Sequence, residues 1–208
     1  MAATRGARTR TRSKPVTFEQ IESEAVKLFS ERTYPVVGMR DISDTVGILP
    51  GSLYAHIANK EELLLGIVRH GIHNYIDALG PISESDDSAA DRLRLIMRKY
   101  MEILDGTLEQ TRVSFNQWTY LSPENQQEVV ELRHTYEQIF SRVITDGIAA
   151  DEFTSVRHPR VAVLATMGLL NSAMRWYTRD GSLGASEIGD DLADLMLQGL
   201  CSAGAGTN

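Results

Sequence analysis

Between Gly38 and Lys60 the chain gathers hydrogen-bond donors around small residues: Pro50 is followed by Gly51 and Ser52, then Tyr54, His56 and Lys60. Small side chains let the start of a short helix approach an oxyanion, because backbone N–H groups and the helix dipole both favour negative charge there. Lys60 opens the next helix, a second place where a phosphate can be held. Tyr54 reads equally as a ring half packed on the first helix, and His56 as a solvated imidazole. A second collection is apolar: Met97, Met101, Phe115, Trp118, Tyr136, Phe140, Met167, Asn171 and Met174, with Arg175 alongside. Apolar walls with few polar groups suit a small-molecule cavity, yet Met and aromatic side chains at helical spacing also make plain core, which is expected to claim roughly half of them. His70 and His73 stand one helical turn apart, but without Cys or a matched carboxylate they read as solvated rather than as metal ligands. No nucleophile–base pair or metal cluster is legible, so neither enzyme nor cofactor carrier is expected.

These residues must be positioned by helices, since apolar spacing follows the helical period almost throughout. Phe18, Ile21, Ala25, Leu28 and Phe29 form one stripe, predicting a helix from Thr17 to Glu31 that Tyr34-Pro35 ends. A short helix is expected over Met39–Val46, with Gly38 as its cap and Gly47 in the left-handed position after it. Another is expected over Pro50–Ile57, with Pro50 in the first turn, where a missing N–H costs nothing. Met39, Ile42, Val46, Ile48, Leu53 and Ile57 would lock these two at a steep angle as a helix-turn-helix. Asn59 and Glu62 match a capping box opening a helix over 60–79, which Gly80-Pro81 is expected to end. The polar stretch 83–88 places a domain boundary near residue 80. Further helices are predicted at about 88–104, 107–121, 123–149, 159–179 and 186–202. The expected fold is all-α with about nine helices: a basic arm (1–14), a helix-turn-helix unit (15–75) and a second helical domain (80–208).

Net charge is −7, which by itself argues against a polyanionic partner. Its distribution argues the reverse. Arg5, Arg8, Arg10, Arg12 and Lys14 share the first 14 residues with no acid, so all 28 acidic residues lie beyond them, against 16 of the 21 basic ones. A basic arm on an acidic body can aim one end at phosphates, although such an arm also serves as a solubilising tail. The arm has no apolar core and is not read as a signal peptide. The longest apolar run, Val161–Leu170, is far short of the roughly 20 residues needed to span a bilayer. Cys201 is the only cysteine, so an internal disulfide is excluded and a reducing, cytoplasmic setting is expected.

The elements A-V-x-L-F-S-E-R, D-I-S-D-T-V-G-I, G-S-L-Y-A-H and N-K-E-E-L-L, between Ile21 and Leu64, resemble the TetR family of bacterial regulators. The resemblance implies a three-helix DNA-binding unit followed by a helical ligand and dimerisation domain. It places Arg40, Gly51, Ser52, Tyr54, His56 and Lys60 at positions that touch DNA, with Pro50 opening the recognition helix. Three departures stand out, of which the first bears on a phosphate contact and the other two read as repacking. Val37 and Gly38 stand where the family has a Thr or Ser cap that also meets phosphate, and Ile57 and Thr33 replace a usual Phe and Gly.

The segment Val161–Met174 is apolar nearly all round and should be buried on several sides, with Ala165, Gly168, Ser172 and Ala173 allowing close helix approach. The last helix adds Ile188, Leu192, Leu195, Met196 and Gly199. Pairing both helices with a second copy would make a four-helix bundle, and a homodimer fits recognition helices about 34–36 Å apart on a palindromic operator. Packing inside one monomer is the alternative. Arg175-Trp176-Tyr177, Gly181-Ser182-Leu183 and Glu187-Ile188 resemble members that sense acyl-CoA thioesters, although Arg175 reads equally as a helix cap and Trp176 as a seam residue. The expectation is a dimeric repressor of double-stranded DNA released by a small hydrophobic effector, with strain passing through the helix at 60–79. Alternatives are a sensor of cationic drugs, for which Glu102 and Glu109 are the candidate acids, and a helical interaction protein that binds no DNA.

Overall fold

The computed structural model describes residues 16–201, and among these it contains nine α-helices, one 3-10 turn and no strand. The basic arm lies outside the described residues. Helix α1 (Phe18–Arg32) starts on a capping box: Thr17 Oγ1 accepts the Gln20 N–H at 3.3 Å and Gln20 Oε1 accepts the Thr17 N–H at 3.1 Å. Helix α2 (Met39–Val46) begins at Gly38, whose N–H donates to Asp41 Oδ2 at 2.7 Å. Its end is the left-handed Gly47, φ +78°, whose N–H reaches Ser43 O at 3.0 Å. Only glycine takes that angle without strain, so the turn of the helix-turn-helix depends on it.

Helix α3 is shorter than expected, Pro50–Leu53 rather than Pro50–Ile57. After Leu53 the chain tightens into turns, with Ala55 N–H on Ser52 O and His56 N–H on Leu53 O. Leu53 and Ile57 are both buried, and α3 packs against α2. Helix α4 (Lys60–Ser83) is longer than expected and runs straight through Gly80-Pro81. The lost Pro81 N–H costs one bond near the helix end, and distant contacts hold the last turn. Buried Arg92 donates to Ser83 O at 2.8 Å and to Asp146 at 2.9 Å.

The remaining helices are α5 (Ala89–Gly106), α6 (Leu108–Asn116), α7 (Pro123–Ala149), α8 (Pro159–Trp176) and α9 (Ala185–Cys201), with the 3-10 turn at Trp118–Tyr120. The predicted 107–121 helix is thus two pieces parted at Gln117. Helix α8 stops at Trp176 rather than near 179, because Tyr177 turns extended and its hydroxyl donates to Asp105 at 2.7 Å. Ile21, Phe29, Ile42, Leu53 and Ile57 fill a small core beneath α2 and α3, each worth about 1.5–3 kcal/mol when fully buried. A second core is aromatic: the rings of Tyr75, Tyr100, Phe115, Tyr136 and Phe140 meet at centroid distances of 4.8–6.1 Å. Gly189 lets α9 lie directly on α5, since a Cβ there would fall 2.6 Å from Arg98 Cα.

Helix α8 is not buried all round in the single chain. Val161 is 61% exposed, and Leu164, Ala165, Gly168 and Trp176 continue that open face. On α9, Leu195 is 64% exposed and Gly199 is open beside it.

Candidate functional site

Two regions carry the chemistry. At one end, α2, α3 and the turns around them present Arg40, Pro50, Gly51, Ser52, Tyr54 and His56 to solvent. Arg40 has 88% of its side chain exposed and only a loose contact to Asp44, at 3.9 Å. Tyr54 is 55% exposed, so half its ring is covered and half is free. A four-residue helix has little dipole of its own, and since the Ser52 N–H donates to Leu49 O at 2.9 Å, the groups α3 can offer an anion are the Gly51 N–H and the Ser52 hydroxyl. Leu49, 75% exposed at the head of α3, and Val36 add apolar surface that sequence reasoning missed. Such side chains suit the methyl of thymine.

Lys60 is placed differently from its neighbours. Its ammonium donates to Val37 O at 2.7 Å and Tyr34 O at 3.0 Å, and sits 4.2 Å above the Tyr34 ring. Partial burial lowers its pKa and the charge of Asp41 works the other way. Two of its three protons thus tie α4 to the loop before α2. At the head of α4, Asn59 Oδ1 accepts the Glu62 N–H at 2.8 Å, while Glu62 reaches back one residue further than expected, to the Ala58 N–H at 2.9 Å.

The second region lies between α6, α7 and α8. A cavity of about 220 Å³ is walled by Phe115, Val130, Arg133, His134, Tyr136, Glu137, Met167 and Asn171. Another of about 380 Å³, with Asn116, Gly168, Ser172, Met174 and Arg175 in its wall, shares Phe115, Arg133 and Asn171 with the first. Of the ten candidates, Phe115, Tyr136, Met167, Asn171, Met174 and Arg175 line these cavities. Trp118 stands just behind, its ring 5.2 Å from the Arg133 guanidinium. Met97, Met101 and Phe140 are fully buried core and line neither. Arg133 was missed. It reads as one more surface charge on a long helix, yet it occupies the buried stripe of Val129, Tyr136 and Phe140, at i+4, i+7 and i+11 from Val129.

A larger cleft, about 830 Å³, separates α1 from α6 and is lined mostly by polar and charged groups, including Glu22, Lys27, Glu109 and Arg179. It is a seam between the two ends of the molecule. His70 meets Glu22 across it at 3.2 Å, while His73 turns to Arg69 O on its own helix. The seam is tied elsewhere by Gln117, which accepts the Tyr34 N–H at 2.7 Å and donates to Phe29 O at 2.8 Å. Glu61 accepts from Ser122 N at 2.8 Å and Asn125 Nδ2 at 2.6 Å, and these bonds hold its pKa below the usual carboxylate value. Arg69 and Glu128 form a two-bonded ion pair between α4 and α7.

Residues 21–67 match the family described as bacterial regulatory proteins, tetR family, and residues 86–200 match the tetracyclin repressor-like C-terminal domain. The HTH-type transcriptional repressor KstR2 of Rhodococcus jostii is 27% identical over 180 residues, covering 86% of this chain and 88% of that protein. The TetR-family regulator PfmR of Thermus thermophilus superposes with a TM-score of 0.80 at 28% identity, over 86% of this chain and 98% of that one. The fold of FadR from Bacillus subtilis, in complex with stearoyl-CoA, matches with a TM-score of 0.72 at 21% identity, over 88% and 99% of the two chains. With more than half of its length inside the C-terminal match and the helix-turn-helix inside the other, the chain belongs to the TetR family of bacterial regulatory proteins.

Proposed function

We propose that this regulator represses transcription as a homodimer on a palindromic operator and is released from it by an acyl-CoA thioester. The observation that carries the effector class is the chemistry of the cavity walls. Aromatic and thioether side chains of Phe115, Tyr136, Met167 and Met174 stand beside the cations Arg133 and Arg175, a lining that suits a long apolar chain attached to an anionic carrier. KstR2, a named repressor, and FadR with its stearoyl-CoA support the same direction by likeness. A cationic effector finds no comparable seat among the described residues. Glu102 is engaged by Lys99 and Ser186, Glu109 by Arg179, and Glu137 by Arg160.

The open apolar faces of α8 and α9 support the dimer, since Val161, Leu164 and Leu195 would otherwise remain in water. Coupling has a short path. Phe115 and Trp118 flank Gln117 in sequence, and Gln117 holds the main chain where α1 ends. An effector that moves this segment shifts the spacing of the two recognition helices in the dimer. Fluorescence anisotropy of a labelled fragment from the protein's own upstream region tests this. Long-chain acyl-CoA should weaken operator binding by about 5- to 150-fold, the usual range of such couplings. Acyl-CoA binding with unchanged operator affinity, or no operator binding at any salt concentration, rejects the proposal.

A further inference from the structure

Two buried polar groups on the smaller cavity have no partner. Arg133 Nη1 and the Tyr136 hydroxyl are both shielded from solvent and make no hydrogen bond among the described residues. Both side chains line the 220 Å³ cavity. Arg133 is held between two rings, 5.8 Å from the centroid of Phe115 and 5.2 Å from that of Trp118, and has no carboxylate partner among the described residues. Glu137 lines the same cavity, but its carboxylate is paired with Arg160. Burial lowers the pKa of Arg133 and raises that of Tyr136 well above the ordinary value, and the partial offset that each gives the other does not reverse either shift. An orphaned guanidinium nitrogen and an orphaned hydroxyl on two residues of one cavity wall are an unusual expense unless something else supplies the acceptor.

We infer that Arg133 and Tyr136 form the polar seat of the effector, taking an anionic oxygen, from a phosphate or a carboxylate, while the apolar remainder lies along Phe115 and Met167. This rests on the reading of an effector domain given above and adds to it the residues that select charge. Asn171 joins the seat from α8, where its Oδ1 already accepts the Tyr100 hydroxyl at 3.3 Å, leaving its amide protons for the ligand. Arg175, at the rim of the larger cavity, stands ready for a second negative charge. A thioester of CoA presents several phosphates, whereas a free fatty acid presents one carboxylate.

Binding of palmitoyl-CoA, CoA alone, palmitate and methyl palmitate to the full chain, read by quenching of tryptophan fluorescence, separates the possibilities. Arg133→Gln should weaken the charged ligand by roughly 10- to 100-fold and leave the methyl ester unchanged, with Arg133→Lys in between. Tyr136→Phe should lose less. Without ligand, Arg133→Gln should melt at the same temperature as the unmodified protein or higher, since it removes an uncompensated buried charge. Unchanged palmitoyl-CoA affinity in Arg133→Gln overturns the seat and leaves the acyl-CoA reading intact. Palmitate bound and palmitoyl-CoA refused, with the loss still present in Arg133→Gln, upholds the seat and removes that reading. A lowered melting temperature with all four ligands weakened alike makes Arg133 a structural residue and also overturns the seat.

Discussion

Gln117 accepts the Tyr34 N–H at 2.7 Å across 83 residues of chain, joining the segment after α6 to the loop after α1. The same amide donates to Phe29 O, so one buried side chain grips two points of the DNA-binding unit. Phe29 O also receives the Thr33 N–H at 3.0 Å and keeps a partner if Gln117 is lost. The Tyr34 N–H would be left with none.

Gln117→Ala is therefore expected to cost about 1–3 kcal/mol of stability, the penalty of one buried unsatisfied donor. Its larger effect should be on communication. Effector affinity measured without DNA should stay within about twofold, while the effector-induced loss of operator binding shrinks several-fold. A full response to effector in this variant, by anisotropy, would move the coupling route elsewhere.

Tyr54 and Lys60 should separate in their consequences. Tyr54 is half exposed and its hydroxyl bonds nothing among the described residues, so Tyr54→Ala should abolish operator binding with little change in melting temperature. Lys60→Met also removes two bonds to main-chain oxygens and a cation over a ring, and should lower both operator affinity and melting temperature. If its third proton reaches a phosphate, the salt dependence of binding loses about one unit of slope.

Leu164 and Leu195 stand on the open faces of α8 and α9. A charge at either costs little in a monomer and much in an apolar helix-to-helix seam. Leu164→Arg and Leu195→Glu are each expected to give a folded monomer by light scattering, with operator binding lost. A dimer that survives both substitutions rules out this face.

Acid should loosen the junction between α4 and α7. Glu61, bonded to Ser122 and Asn125, and Glu128, bonded to Arg69, both have pKa values held below the ordinary 4.5. A group whose folded pKa is depressed stabilises the fold above its unfolded value, and that contribution fades as pH falls through the folded one. Melting temperature should be flat above about pH 5.5 and fall below about 4.5. Glu61→Gln should flatten that fall; an unchanged profile would mean other carboxylates dominate.

Much of this was legible in the sequence, where local chemistry decides. Gly47 announces the turn of the helix-turn-helix because no other residue takes φ +78° cheaply. Pro123 opens α7 where the spacing places it, and that helix ends at Ala149 as predicted. What escaped was decided by distant partners. Pro81 reads as a helix terminator, yet Arg92 from α5 holds the turn around it. Gln117 looks like an ordinary polar residue in a helix until Phe29 and Tyr34 come within reach. The apolar run of α8 suggested burial on several sides, and the single chain leaves one face open. Arg133 did carry a signal, a lone cation on the stripe of Val129, Tyr136 and Phe140, but helical stripes tolerate snorkelling arginines and the spacing alone cannot tell the two apart.

Helix α4 belongs to both ends of the molecule: its first turn pins the recognition unit through Lys60 and is tied to the start of α7 through Glu61, and its later turns carry Tyr75 into the aromatic core. It thus acts as a shaft with a fixed phase. Inserting a single residue near its middle would rotate one end against the other by about 100° and advance it about 1.5 Å. The DNA-facing unit would then point away from the direction set by α8 and α9. Exchange of DNA-reading units between relatives of this protein must accordingly preserve the residue count of that shaft, and loop lengths elsewhere can drift where this one cannot.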